Sequence, residues 1–189
     1  MRQSTLFVAI VVTFVCAAPI AASKVMQNRA YVTSGPDRFG SVFYARCVPA
    51  AARGSAGRTE VFRVREGGDE VVDRYEWYAP CGLVLGWSPI KGKVAVLAIV
   101  RDESAAEWGR REQLRFSIGG EHLASYTNDD LIAMGAGRAA SSAYGLHAGF
   151  SVIGCEQVPG TNEYDFVIEI GPEKRLRFDI TTGRVRATR

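Results

Sequence analysis

Apolar positions in this chain recur mostly with a period of two, the spacing of strands that bury one face. The densest stretch is 73–100, DRYEWYAPCGLVLGWSPIKGKVAVLAIV. Within it, Val94 to Val100 is an unbroken, β-branched apolar run, which predicts a central strand buried on both faces. Leu83, Leu85 and Trp87 share one side of the preceding strand, and Tyr75 and Trp77 one side of the strand before that. Between Trp87 and Val94, Ser88-Pro89-Ile90-Lys91-Gly92 carries the Pro and Gly of a tight reversal.

The same period marks Ser41–Val48, with Phe43, Ala45 and Cys47 on one face, and Thr59–Arg65, which Glu66-Gly67-Gly68-Asp69 turns onto Val71–Tyr78. Gln113–Ile118 and Glu121–Tyr126 flank Gly119-Gly120, a two-residue hairpin signal. Tyr164, Phe166, Ile168 and Ile170 face inward from one late strand, and Leu176, Phe178 and Ile180 from the next. Thr182-Gly183 then turns into Arg184–Ala187. Lys24–Gly40 reads as a loose lead-in, Pro49–Gly57 and Gly137–Gly145 as loops, and Arg101–Glu112 as a loop with at most one helical turn. Asn128–Gly135 is the single predicted helix, capped by Thr127 or Asn128, with Asp129 and Asp130 at its positive end and Gly135 at its stop.

These elements predict an all-β or β-dominated domain over 24–189. Its antiparallel sheets are built from hairpins, as a sandwich or two packed sheets with one short helix, and a division into halves is allowed near 101–112. Thr59–Val100 has the cadence of one four-stranded propeller blade, with W-S-P-x-x-G before a hydrophobic strand. The chain is too short for four such blades at ~40 residues each plus a leader.

Residues 1–23 stand apart from that domain. Arg2 is followed by an apolar run from Leu6 to Val15, then Pro19 and the small residues Ala21, Ala22 and Ser23, the pattern of a cleaved signal peptide. The run is short for a spanning helix, so a retained anchor is the lesser alternative, and no stable membrane insertion is expected after cleavage. The protein is expected to be secreted, into the periplasm or outside the cell. The absence of an N-x-S/T sequon points to a bacterial envelope. The formal charge of +3 loses only Arg2 with the leader, too small a surplus to call for nucleic acid. Cys47, Cys81 and Cys155 remain, and in an oxidising compartment one pair is expected to bridge. Cys47–Cys81 is closest in sequence, leaving Cys155. With no C-x-x-C and no near-neighbour cysteines, a metal is not expected.

Catalytic chemistry finds little purchase. Of the two histidines, His122 adjoins a hairpin and His147 lies among small residues. Ser88 sits in G-W-S-P, not in a G-x-S-x-G elbow, and nothing in spacing supports a Ser88/His122/Asp129 triad. Cys155-Glu156 lacks an identifiable base, and no phosphate loop, dinucleotide fingerprint or HExxH occurs, so no cofactor is called for. Binding has better candidates. Tyr78 falls on the side of its strand opposite Trp77, together with Arg74 and Glu76. Arg175, Arg177, Arg184 and Arg186 point away from Leu176, Phe178 and Val185 and share one solvent face, partly offset by Asp165 and Glu169. The expectation is a non-catalytic binding or interaction module of the cell envelope, with an envelope protein or glycan as partner. An inhibitor or immunity-type protein against an envelope-targeting enzyme, and a hydrolase with its site around Ser88 and His122, are the alternatives.

Overall fold

The computed structural model describes residues 31–36, 42–50, 57–100, 107–141, 145–171 and 174–186. The leader assigned to 1–23 lies outside them, as do residues 51–56 and 101–106. Among the described residues the chain is strand-dominated and antiparallel, and no barrel closes. β1 (Tyr31–Pro36), β2 (Val42–Val48), β3 (Arg58–Arg63) and β4 (Glu70–Tyr75) pair in chain order as a first sheet. β5 (Leu83–Ser88), β6 (Lys93–Ile99), β7 (Glu112–Ile118) and β8 (Glu121–Thr127) pair in order as a second. A short helix, α1 (Asn128–Ala133), and a hairpin of β9 (Gly137–Ser141) and β10 (Gly145–Gly149) follow. β11 (Ser151–Gln157), β12 (Tyr164–Glu169) and β13 (Arg175–Asp179) form the third sheet, extended where Val185 bridges Phe178.

The second sheet is the middle layer. Ala95, Leu97, Leu114, Phe116 and Ile118 point from it toward Phe166, Ile168, Leu176 and Phe178 of the third sheet. Leu83, Leu85, Val94, Val96 and Ala98 point the other way, onto Phe43, Ala45, Cys47, Val61 and Tyr75 of the first. Val94 to Ala98 are no more than 2% exposed, so β6 is buried on both faces as its composition predicts. Each fully buried Leu, Val or Phe removes apolar area worth ~1.5–3 kcal/mol, and β6 contributes to both cores at once. The antiparallel all-β architecture is therefore the one expected, with one layer more than a two-sheet sandwich.

Several local readings change. Ser34-Gly35-Pro36, expected in a lead-in, ends strand β1, which pairs with β2. Pro36 is tolerated because an edge strand leaves one side of its ladder unpaired. Gly137–Gly145, expected as a loop, supplies β9 and the start of β10. Its small residues carry almost no strand signal. The Ala148 N–H of β10 is nevertheless fixed to buried Asn128 of α1 at 2.7 Å. β11 has no clean alternation because a bulge falls between Val152 and Gly154. The blade-like stretch Thr59–Val100 is shared between two sheets, β3 and β4 in the first and β5 and β6 in the second. The division allowed near 101–112 falls in part on 101–106, outside the described residues, and the strands on either side, β6 and β7, are hydrogen-bonded neighbours.

The Cys47–Cys81 bridge is not formed, and none of Cys47, Cys81 and Cys155 is in a disulfide. Cys47 points from β2 into the first core, where its sulfur accepts from Thr59 Oγ1 at 3.7 Å across the strand pair. Cys81 sits half-buried in the turn before β5. The helix follows its sequence closely. Thr127 caps it in a capping box with Asp130, and Gly135 takes the left-handed turn at its stop (φ 102°). No helix among the described residues is long and apolar enough to cross a membrane.

Candidate functional site

The terminal arginines do not form a free basic face. Glu156, Asp165 and Asp179 stand directly opposite one another on β11, β12 and β13, a row of like charges that needs neutralising. Arg177 binds Glu156 and lies 3.8 Å from Asp165. Arg186 reaches Asp165 at 2.9 Å, Asp179 at 3.2 Å and Glu163 at 2.9 Å. Arg175 is 3.8 Å from Glu156 and half-exposed. Asp165, read from the sequence as an outward surface residue, does face outward, yet its side chain is only 1% exposed beneath these guanidinium groups. Burial pushes its carboxyl above the ordinary range against the pull of Arg186. Arg184 is exposed. Arg177 and Arg186 are thus closely engaged by carboxylates of the same sheet, and Arg175 only loosely.

A less compensated group lies on the first sheet. Arg46 of β2, Glu60 of β3 and Arg74 of β4 are consecutive cross-strand partners on its outer face. Glu60 is hydrogen-bonded by Arg46, which holds its carboxyl below the ordinary range despite burial. Arg74 is only loosely engaged, 3.7 Å from the other carboxylate oxygen with its side chain 71% exposed. Arg58, two residues before Glu60 on β3, adds its field to the same carboxylate. Nearby, Tyr44 stacks on Phe62 (4.8 Å, 8°), and Arg46 lies over the Phe62 ring. A concavity of 350 Å³ is lined by Arg58, Thr59, Glu60, Arg74, Tyr75 and Glu76.

A third polar group occupies the face of β7 and β8 that is turned toward the first sheet. Bulges at Gln113 and Leu123 shift the alternation, so that Glu112, Arg115, Ser125 and His122 fall on one side. His122 Nε2 is 2.9 Å from Ser125 Oγ, and Ser125 donates to Glu112. Glu112 in turn accepts two hydrogen bonds from Arg115, whose guanidinium lies over Trp77. The hydroxyl stands between imidazole and carboxylate, and its proton is directed to Glu112. In a hydrolytic triad the imidazole holds the middle place.

Ser88 is not part of this group. It is buried at the end of β5, its hydroxyl accepts from Lys91 N at 3.2 Å, and β6 and β7 separate it from His122. Three strand spacings put the two strands ~14 Å apart. Asp129, the third member of the triad weighed above, sits on α1 with its carboxylate beside Gly109. Tyr78 lies beyond the end of β4, where alternation no longer applies, and is half-buried against the first core. Trp77 and Trp87 also pack there, Trp87 stacked on Phe43 (5.4 Å, 13°). Cys155 borders a 590 Å³ concavity at the β11–β12 loop, but burial raises its thiol to about 12, far from a reactive thiolate.

Sequence reasoning missed the first-sheet arginines. Alternation alone puts Arg58 and Glu60 opposite to Val61, and Arg46 opposite to Cys47, but only the register makes them neighbours. No family model, curated protein or solved structure matches this chain.

Proposed function

We propose that the protein is a small exported, non-catalytic binding module of the cell envelope, and that the outer face of its first sheet is its binding surface. One observation carries this reading: Arg46 and Arg74 flank Glu60 from the neighbouring strands, and Arg58 joins Arg74 and Glu60 in lining a 350 Å³ concavity. Charge left uncompensated in a concave, rigidly paired surface suits recognition of an acidic partner. The groups best equipped for catalysis support the same reading. Ser88 is spent on its turn, and the Ser125 proton is directed away from His122. The signal-like pattern of residues 1–23 is what supports a location outside the cytoplasm.

The test is cross-linking of the tagged protein in its own envelope, followed by capture and mass spectrometry. An envelope component recovered with the unaltered chain and with Arg175→Ala/Arg184→Ala, but lost with Arg58→Glu/Arg74→Glu, supports the reading. Recovery of nothing specific overturns it. A second reading, hydrolysis at His122, rests on the 2.9 Å contact with Ser125. Turnover of an ester, peptide or glycoside that His122→Ala abolishes with the fold intact would put it first.

A further inference from the structure

The binding-module reading leaves the occupant of the first-sheet concavity open, and the charges around it narrow the choice. Arg58 and Arg74 balance Glu60 and Glu76 in the lining, and Arg46, beside the concavity and bound to Glu60, brings an excess of one positive charge. The guanidinium groups are unequally used. Arg46 is bound to Glu60, Arg74 stays 3.7 Å away and largely in solvent, and Arg58 is in no salt bridge among the described residues. Each idle guanidinium offers a planar fork of N–H donors that matches two oxygens of a phosphate.

We propose that this concavity is a subsite for a phosphodiester group, held between Arg58 and Arg74 while Arg46 keeps Glu60 occupied. This deepens the binding-module reading and rests on it for the biological setting only. A diester carries one negative charge, which matches the excess, whereas a phosphate monoester dianion would meet Glu60 and Glu76 with a charge too many. A diester also has two ester arms, and an open concavity on an exposed sheet face leaves room for both to continue into solvent. A volume of 350 Å³ accommodates the phosphate and the first atoms of each arm. The first sheet fixes the points from which the arginines leave the backbone, because β2, β3 and β4 are paired through consecutive registers at these residues.

The experiment is a titration of the full chain with dimethyl phosphate, followed by amide chemical shifts. Parallel arms use sodium acetate, sodium sulfate and vesicles of phosphatidylglycerol. The expected result is saturable shifts at Arg58–Glu60 and Arg74–Glu76, weaker binding of acetate, and a loss of about tenfold or more in affinity for Arg58→Ala/Arg74→Ala. Arg175→Ala/Arg184→Ala keeps the affinity. Arg74→Gln provides a milder variant at a side chain already 71% exposed, with an intermediate loss expected. Binding of the vesicles in addition assigns the diester to a lipid headgroup; binding of dimethyl phosphate alone assigns it to a soluble or polymeric diester. Absence of saturation, shifts elsewhere, equal binding of acetate, or affinity unchanged in the Arg58/Arg74 variant overturns the proposal. Envelope capture that persists despite such a failure leaves the module reading standing, whereas dimethyl phosphate binding without any envelope partner removes that reading and keeps the subsite.

Discussion

Asp73 is held on the face of β4 that looks into the first core, opposite Val61. Burial pushes its carboxyl up to about 6, and the charge of Lys93 only partly offsets this. The folded chain therefore binds this proton more tightly than the unfolded chain, whose carboxyl titrates near its ordinary 3.8. Between these values stability rises as pH falls, and it is lost as pH climbs through 6. Asp73→Asn removes that loss. The variant is expected to gain about 1 kcal/mol over the unaltered protein at pH 7.5, after allowance for solvent screening at a half-buried site, and most of the gain should vanish at pH 4.5. Urea midpoints at the two pH values measure it, and an advantage independent of pH would contradict the assignment. Little of this is legible in the sequence. Asp73 reads as a polar position on the same side of its strand as Tyr75, and only the packing of the first core decides that its carboxyl is half-buried.

Among the elements, the segment after Gly183 has the clearest structural duty. Val185 pairs with Phe178, Arg186 N donates to Arg177 O at 2.7 Å, and the Asp179 N–H donates to Arg184 O, so this short stretch closes the free edge of β13. Its Arg186 side chain gives Asp165 its best ion pair. Removing one partner of such a pair strands the other. Arg186→Ala should cost about 2–3 kcal/mol, below the full penalty of a deeply buried pair because Arg186 itself is a third exposed. Adding Asp165→Asn to that variant should recover part of the loss. A cost under ~0.5 kcal/mol by denaturant unfolding would mean that the pair is solvated. The sequence shows the arginines and the carboxylates of this hairpin, and their alternation. It does not show that Glu156, Asp165 and Asp179 line up, because a slip of one residue in either pairing would turn them to opposite faces.

At the scale of the molecule, two cores share one sheet. Ala95 and Leu97 of β6 fill the core toward the third sheet, while Val94, Val96 and Ala98 fill the other. A defect in one core should therefore be felt in both. Leu97→Ala opens a cavity on the third-sheet side, where Leu97 is fully buried, and should cost about 3 kcal/mol. Unfolding followed by tryptophan fluorescence, dominated on the first-core side by Trp77 and Trp87, should shift with the far-ultraviolet signal. Separated transitions would mean that the layers unfold independently. By itself the sequence determined most of the strands, the capped helix and the doubly buried β6. Those follow from side-chain period, turn residues and composition, which act over a few neighbouring positions. Only the tertiary structure decided the three-layer order, the strands hidden in small residues or behind a bulge, the unbridged cysteines, and which arginines are left loosely paired. These depend on register and packing between residues far apart in the chain, where a shift of one position exchanges the buried face for the exposed one.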